Sequence, residues 1–169
     1  MDSKNLKRII YTGLFAALTC VSILILHIPV GNGIVHVGDA IIYLGAIILP
    51  FPYGIIAGGI GGSLSDLLDG YAIYAMPTLI IKSINALCFY VPLKAHSKII
   101  SARTIIAVIV SSFVTIIGYY FVAVILFGGF VTQLPNLLSN AVQASGSFVV
   151  FVILGLAFDR AGLKKRIKL

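Results

Sequence analysis

Eleven of the twelve lysines and arginines in this chain fall in three clusters separated by long apolar runs. Lys4, Lys7 and Arg8 stand at the N-terminus, Lys94, Lys98 and Arg103 in one internal connector, and Arg160, Lys164, Lys165, Arg166 and Lys168 in the tail. A soluble domain carries about 25% charged residues, whereas this chain has 10%, with 60% hydrophobic residues and no glutamate. Its mean hydropathy is +1.12. Such a chain reads as an all-α integral membrane protein. The formal charge of +7 does not point to nucleic acid, because the cations sit between apolar segments rather than over a soluble face.

Charge gaps and Pro/Gly breaks predict six transmembrane helices, with residues 1–169 forming a single six-helix membrane domain. Helix 1 runs from about Leu6 to His27, helix 2 from Gly38 to Leu49, helix 3 from Tyr53 to Leu68, helix 4 from Met76 to Leu93, helix 5 from Thr104 to Phe127, and helix 6 from Asn136 to Phe158. Six helices put all three basic clusters on one side, which the positive-inside rule makes cytoplasmic, with both termini. The basic start followed by an apolar run also opens a signal peptide. The uncharged run from Ile9 to Val35 is too long for that and lacks an A-x-A-like exit, so it reads as a retained anchor.

Helices 2 and 3 are short for a bilayer of about 30 Å. Pro50-Phe51-Pro52 stops the first of them, and Gly54, Gly58 and Gly62 line one face of the second, where a neighbouring helix can approach to backbone contact. Pro29, Gly31 and Gly33 predict an irregular loop from Ile28 to Val37. Short, interrupted segments at membrane depth are tolerated where they line a cavity, which predicts a ligand pocket on the outer side.

The twelfth cation, Lys82, falls in that outer half. Around it gather His36, Asp39, Asp66, Asp69, Tyr71, Tyr74, Asn32 and Asn85. On helix 6, Asn136, Asn140, Gln143 and Ser147 follow at helical spacing, a polar stripe on an apolar helix. Amides hydrogen-bond ring heteroatoms and hydroxyls, tyrosines stack, and a charge fixes polarity. The set suits a small polar aromatic ligand. The candidate binding residues are Asn32, His36, Asp39, Asp66, Tyr74, Lys82, Asn85, Asn136, Asn140 and Gln143. Lys82 either contacts ligand or pairs with Asp66 or Asp69; Asp39 either contacts ligand or complements the dipole of helix 2. Tyr119 and Tyr120 read as interfacial belt residues. Cys20 and Cys88 lie in apolar runs and read as buried thiols. Neither a metal-ligand spacing nor a catalytic or nucleotide-binding motif is present, so no enzyme activity is expected.

The small stripe Gly13 to Ala17, the run HVGDAIIYLGAIILPFPYGIIAGGIGGSLSDLLDGYAIYAMPTLIIKSI from His36 to Ile84, and the basic tail resemble the substrate-binding S component of an energy-coupling factor (ECF) vitamin transporter. Gly38-Asp39, SDLLDGY from Ser65 to Tyr71, and PTLIIK ending at Lys82 carry most of that likeness. The resemblance implies that the first loop and the loop between helices 3 and 4 gate an outward pocket. It also implies that Gly13, Ala16 and Ala17 dock onto a transmembrane T component, itself bound to two ATPase subunits. ATP would be used there, with no cofactor in this chain. Tryptophan is absent, which disfavours a thiamine-type pocket, and the expected substrate is hydroxymethylpyrimidine or pyridoxine (vitamin B6). The alternatives are riboflavin, or a stand-alone ion-coupled carrier working through Asp66 or Asp69.

Overall fold

In chain order the elements are α1 (Ser3–Ile25), a hairpin of β1 (His27–Val30) and β2 (Gly33–His36), α2 (Asp39–Ile48), α3 (Tyr53–Leu68), one 3-10 turn (Ala72–Tyr74), α4 (Ala75–Leu87), α5 (Ala102–Phe127) and α6 (Leu134–Arg160). The computed structural model describes residues 3–30, 33–90, 98–163 and 167. Helices α1, α5 and α6, with 23, 26 and 27 residues, are long and apolar enough to cross a membrane. At about 1.5 Å per residue each exceeds a hydrocarbon core of about 30 Å. With 10, 16 and 13 residues, α2, α3 and α4 fall short of it. Large apolar side chains such as Ile10, Leu14, Ile106, Phe113, Leu138 and Ile153 are exposed on the long helices, an arrangement suited to lipid and unfavourable in water. The protein is an all-α membrane protein.

Short α3 sits at the middle of the packing, and its glycines explain how. A methyl at Gly61 would lie 2.6 Å from the Ala16 carbonyl oxygen and 2.8 Å from Thr19 Cβ of α1. At Gly58 it would meet Ile42 of α2 at 2.9 Å, and at Gly62 the Lys82 Cγ of α4, also at 2.9 Å. Each face of α3 therefore needs bare backbone. The glycine periodicity serves helix packing. Beyond it, Tyr43 packs against a tilted Phe89 and edge-on against Phe151, with ring centroids 5.2 and 5.8 Å apart, within the buried core.

At the opposite end of the long helices, Asp159 of α6 accepts hydrogen bonds from the backbone N–H groups of Ile99 (2.7 Å) and Ile100 (2.9 Å). Ser101 then caps α5, exchanging hydrogen bonds with Thr104. Those bonds satisfy N–H groups that a helix start leaves open and fix α5 against α6.

The course of the chain departs from the sequence expectation after α1 and at the end of α4. The segment after α1 is an antiparallel hairpin in which His27 faces His36 and Ile28 faces Val35; its β-branched Ile and Val residues flank the sequence pair Gly31-Asn32, a hairpin signal that the breaks at Pro29, Gly31 and Gly33 obscured. Helix α4 ends at Leu87, followed by turn residues 88–90, not at Leu93. Tyr90 donates from its hydroxyl to the Leu49 carbonyl at 2.9 Å, so the chain there turns back onto the end of α2. Asn32, Lys94 and most of the basic tail lie outside the described residues.

Candidate functional site

Where the hairpin and the α3–α4 turn meet the ends of α5 and α6, a cavity of about 530 Å³, mouth included, opens. Of that space about 50 Å³ is open to the centres of water-sized spheres, room for a few waters. Its wall is built from Ile34 and His36 of β2, Asp66 of α3, Tyr71 and Tyr74 of the turn, and Thr78 of α4. Tyr119 and Ala123 of α5, with Asn136, Ser139, Asn140 and Gln143 of α6, complete it.

Six of the ten residues singled out in the sequence therefore come together: His36, Asp66, Tyr74, Asn136, Asn140 and Gln143. Asp39, Lys82 and Asn85 are fully buried beneath the floor. Asn32 is outside the described residues. The expected partner of Lys82 needs correcting: its ammonium binds Asp39 Oδ1 at 2.5 Å, not Asp66 or Asp69. Asp39 does stand in the first turn of α2, favourable for its charge, and it also accepts from Gln143 Nε2 at 3.1 Å through its other oxygen. One carboxylate thus joins α2, α4 and α6. Asn85, one turn deeper on α4, donates to Thr115 of α5 at 2.7 Å.

Asp69 has a different partner. His27 Nε2 lies 3.5 Å from Asp69 Oδ2, tying the start of the hairpin to the end of α3. Asp66 Oδ2 is also buried and has no hydrogen-bond partner among the described residues. A buried acceptor left open at a cavity wall is a place for a water or a ligand donor.

His36 is buried, and its Nδ1 accepts the Gly38 N–H at 3.1 Å. Burial, with the Lys82 ammonium adding to it, pushes its pKa down to about 3. The ring is neutral near pH 7, its proton is on Nε2, and it offers the cavity a donor without a charge. Ser147 Oγ holds the His36 carbonyl at 3.4 Å, so the helix 6 stripe also anchors the hairpin.

Tyr119 is not the belt residue expected from the sequence. Its hydroxyl hydrogen-bonds Thr78 Oγ1 at 2.9 Å, and the Lys82 ammonium lies 5.1 Å from its ring centroid, a cation–π distance. Tyr120 points elsewhere, donating to the Phe130 carbonyl at 2.9 Å. The signal was present on α5: Ser111, Thr115 and Tyr119 recur every four residues and so share one face. Ile34 was missed because the hairpin was not foreseen. On α1, Gly13 and Ala17 are exposed while Ala16 is partly buried where α1 meets Gly61.

Among the described residues no group of three or more His, Cys, Asp or Glu side chains is arranged to hold a metal ion. Comparison with known proteins places these features. The chain is 30% identical over 154 residues to a protein from Pyrococcus woesei described as an uncharacterized protein in the gap 3′ region, with 89% of this chain and 97% of that protein covered. Residues 3–160 match the profile of the family described as ECF-type riboflavin transporter, S component. A match of that extent means that this chain belongs to the ECF-type riboflavin transporter S-component family, whose members are transporter subunits and not enzymes.

Proposed function

We propose that the chain captures a neutral, donor-bearing heteroaromatic vitamin from outside the cell and hands it to an ECF transporter, with a single-ring substrate of the hydroxymethylpyrimidine or pyridoxine type favoured. The observation that carries the reading is the charge balance of the cavity. Lys82 is consumed by Asp39, His36 is neutral, and Asp66 brings an open carboxylate oxygen. With no free cation among the described residues of the wall, a carboxylate or phosphate on the ligand would face a like charge. A neutral or weakly basic ring with N–H or O–H groups suits the wall. Ile34, Ala123 and the rings of Tyr71, Tyr74 and Tyr119 give the wall apolar surface as well; the single ring is preferred for its size, since only about 50 Å³ of the cavity is open to the centres of water-sized spheres. Riboflavin is the second reading, and the description of the family favours it.

In this reading His36, Asp66, Tyr74, Asn136, Asn140 and Gln143 contact ligand together with Tyr71, Thr78 and Tyr119. Asp39, Lys82 and Asn85 support the floor. All six helices cross or enter the bilayer with both termini cytoplasmic, a T component and two ATPase subunits complete the transporter, and ATP is used by those subunits with no cofactor in this chain. The exposed Gly13 and Ala17 of α1 supply a smooth surface for the T component. Calorimetric titration of the chain in nanodiscs with pyridoxine, hydroxymethylpyrimidine, riboflavin, biotin and nicotinate tests the proposal: a neutral ring compound is bound and the two carboxylates are not. Preferential binding of a carboxylate would overturn it.

The docking surface yields a separate expectation. Gly13→Leu with Ala17→Leu should leave ligand affinity within about twofold of wild type, since a methyl added at Gly13 meets no atom within 4 Å outside the helix's own backbone and chain neighbours. The same variant should lose co-purification with the T component and vitamin uptake in cells. Retained uptake would remove α1 from the interface.

A further inference from the structure

The α6 wall of the cavity commits hydrogen-bond donors of its side chains to partners within the protein. Gln143 gives its Nε2 to Asp39 at 3.1 Å. Asn140 gives its Nδ2 to the Asn136 carbonyl at 2.7 Å, and Ser139 gives its hydroxyl to the same carbonyl at 3.2 Å. Asn136 gives its Nδ2 to Gln133 Oε1 at 2.7 Å, while Gln133 Nε2 is held by the Gly128 carbonyl at 3.2 Å.

None of these amide orientations is arbitrary. A carboxylate and a backbone carbonyl accept only, so Gln143, Asn140 and Gln133 must present NH2 to them, and Asn136 must then present NH2 to the Gln133 oxygen. With one N–H of each amide committed in this way, the three lining amides have their carbonyl ends free for the cavity, beside the second N–H of each NH2. Asp66 Oδ2, open and buried on the facing helix, adds a further acceptor. Only one link in this set reaches beyond α6 and the loop before it: the bond from Gln143 to Asp39, whose carboxylate is kept ionised and in place by the buried Lys82.

We infer that Asp39 and Lys82 set ligand choice without touching the ligand: by holding Gln143 Nε2 they turn its carbonyl to the cavity, completing an acceptor-lined wall that selects ring compounds by their hydrogen-bond donors. The inference rests on the vitamin-binding reading and adds the chemical criterion by which the site discriminates. A site whose buried acceptors are left unpaired rejects an analogue lacking the donor far more strongly than a hydrophobic pocket rejects a missing methylene.

The test compares donor-bearing and donor-blocked forms of one ring by calorimetric titration in nanodiscs: pyridoxine against its 3-O-methyl ether, hydroxymethylpyrimidine against the form lacking the 4-amino group, and riboflavin against N3-methylriboflavin. Whichever parent the wild type binds, it should exceed its blocked partner by tenfold or more. The double variant Asp39→Asn/Lys82→Met, chosen because it leaves no buried charge, frees Gln143 to turn its NH2 inward. The preference should fall to threefold or less, chiefly because the blocked form binds better. Gln143→Leu, which leaves the ion pair intact, should also lower the ratio. If the double variant weakens both forms equally and the ratio holds, Asp39 and Lys82 are structural only and the inference fails while the functional reading stands. A wild type that does not discriminate has the same consequence. Binding of no parent would overturn the functional reading and this inference with it.

Discussion

Lys82→Met is expected to destabilise the protein by about 3–5 kcal/mol, because it leaves the Asp39 carboxylate buried without its cation. Lys82 and Asp39 are each 0% exposed, so neither water nor lipid headgroups can replace the lost partner. Gln143 Nε2 remains on one oxygen, a single neutral donor for a full charge. Adding Asp39→Asn removes the charge that was stranded, and the double variant should recover most of the loss, as pairs replaced together by neutral residues commonly do. Reversible unfolding in mixed micelles, followed for wild type, both single variants and the double variant, reads the coupling directly. Single and double variants of equal stability would mean that the two residues do not act as a pair.

Gly61→Ala should cost about 2–3 kcal/mol, near the upper end for overpacking. Its new methyl would fall 2.6 Å from the Ala16 carbonyl oxygen and 2.8 Å from Thr19 Cβ, and the first of these is backbone that cannot rotate away. Helix α1 would have to move off α3, opening the packing that supports the start of the hairpin. Gly13→Ala is the matched control: the same change on α1, with nothing close to the added methyl, where the better helix propensity of alanine adds up to about 1 kcal/mol. Equal effects at the two positions, read by the same unfolding assay, would contradict the close α1–α3 contact.

Much of this architecture was legible because lipid simplifies the code. Charge must lie at helix ends or be buried with a partner, so the three basic clusters located the long helices, and Pro50-Phe51-Pro52 located the break between α2 and α3. The stripe Asn136, Asn140 and Gln143 announced the cavity wall for the same reason. Less legible was anything that depends on which elements meet. Lys82 is 43 residues from Asp39, and spacing alone made the aspartates of α3 look equally near; only the packing of α2 onto α4 through glycine-bare α3 selects Asp39. Tyr119 looked like a belt residue because an aromatic near the end of an apolar helix usually is one, and its bond to Thr78 is a tertiary fact. The hairpin was hidden by its own turn residues, which mark breaks as readily as they mark strand reversals. Amide orientation was wholly out of reach, since it follows from what each side chain meets and not from its kind.

Mass spectrometry of small molecules released from the chain purified in mild detergent is the most direct test of the vitamin-binding reading. A neutral heteroaromatic vitamin or precursor carrying N–H or O–H groups is expected, near one equivalent per chain, and depleted from an Asp66→Leu preparation that still folds. Recovery of a carboxylate or phosphate compound, retained equally by that variant, would contradict it.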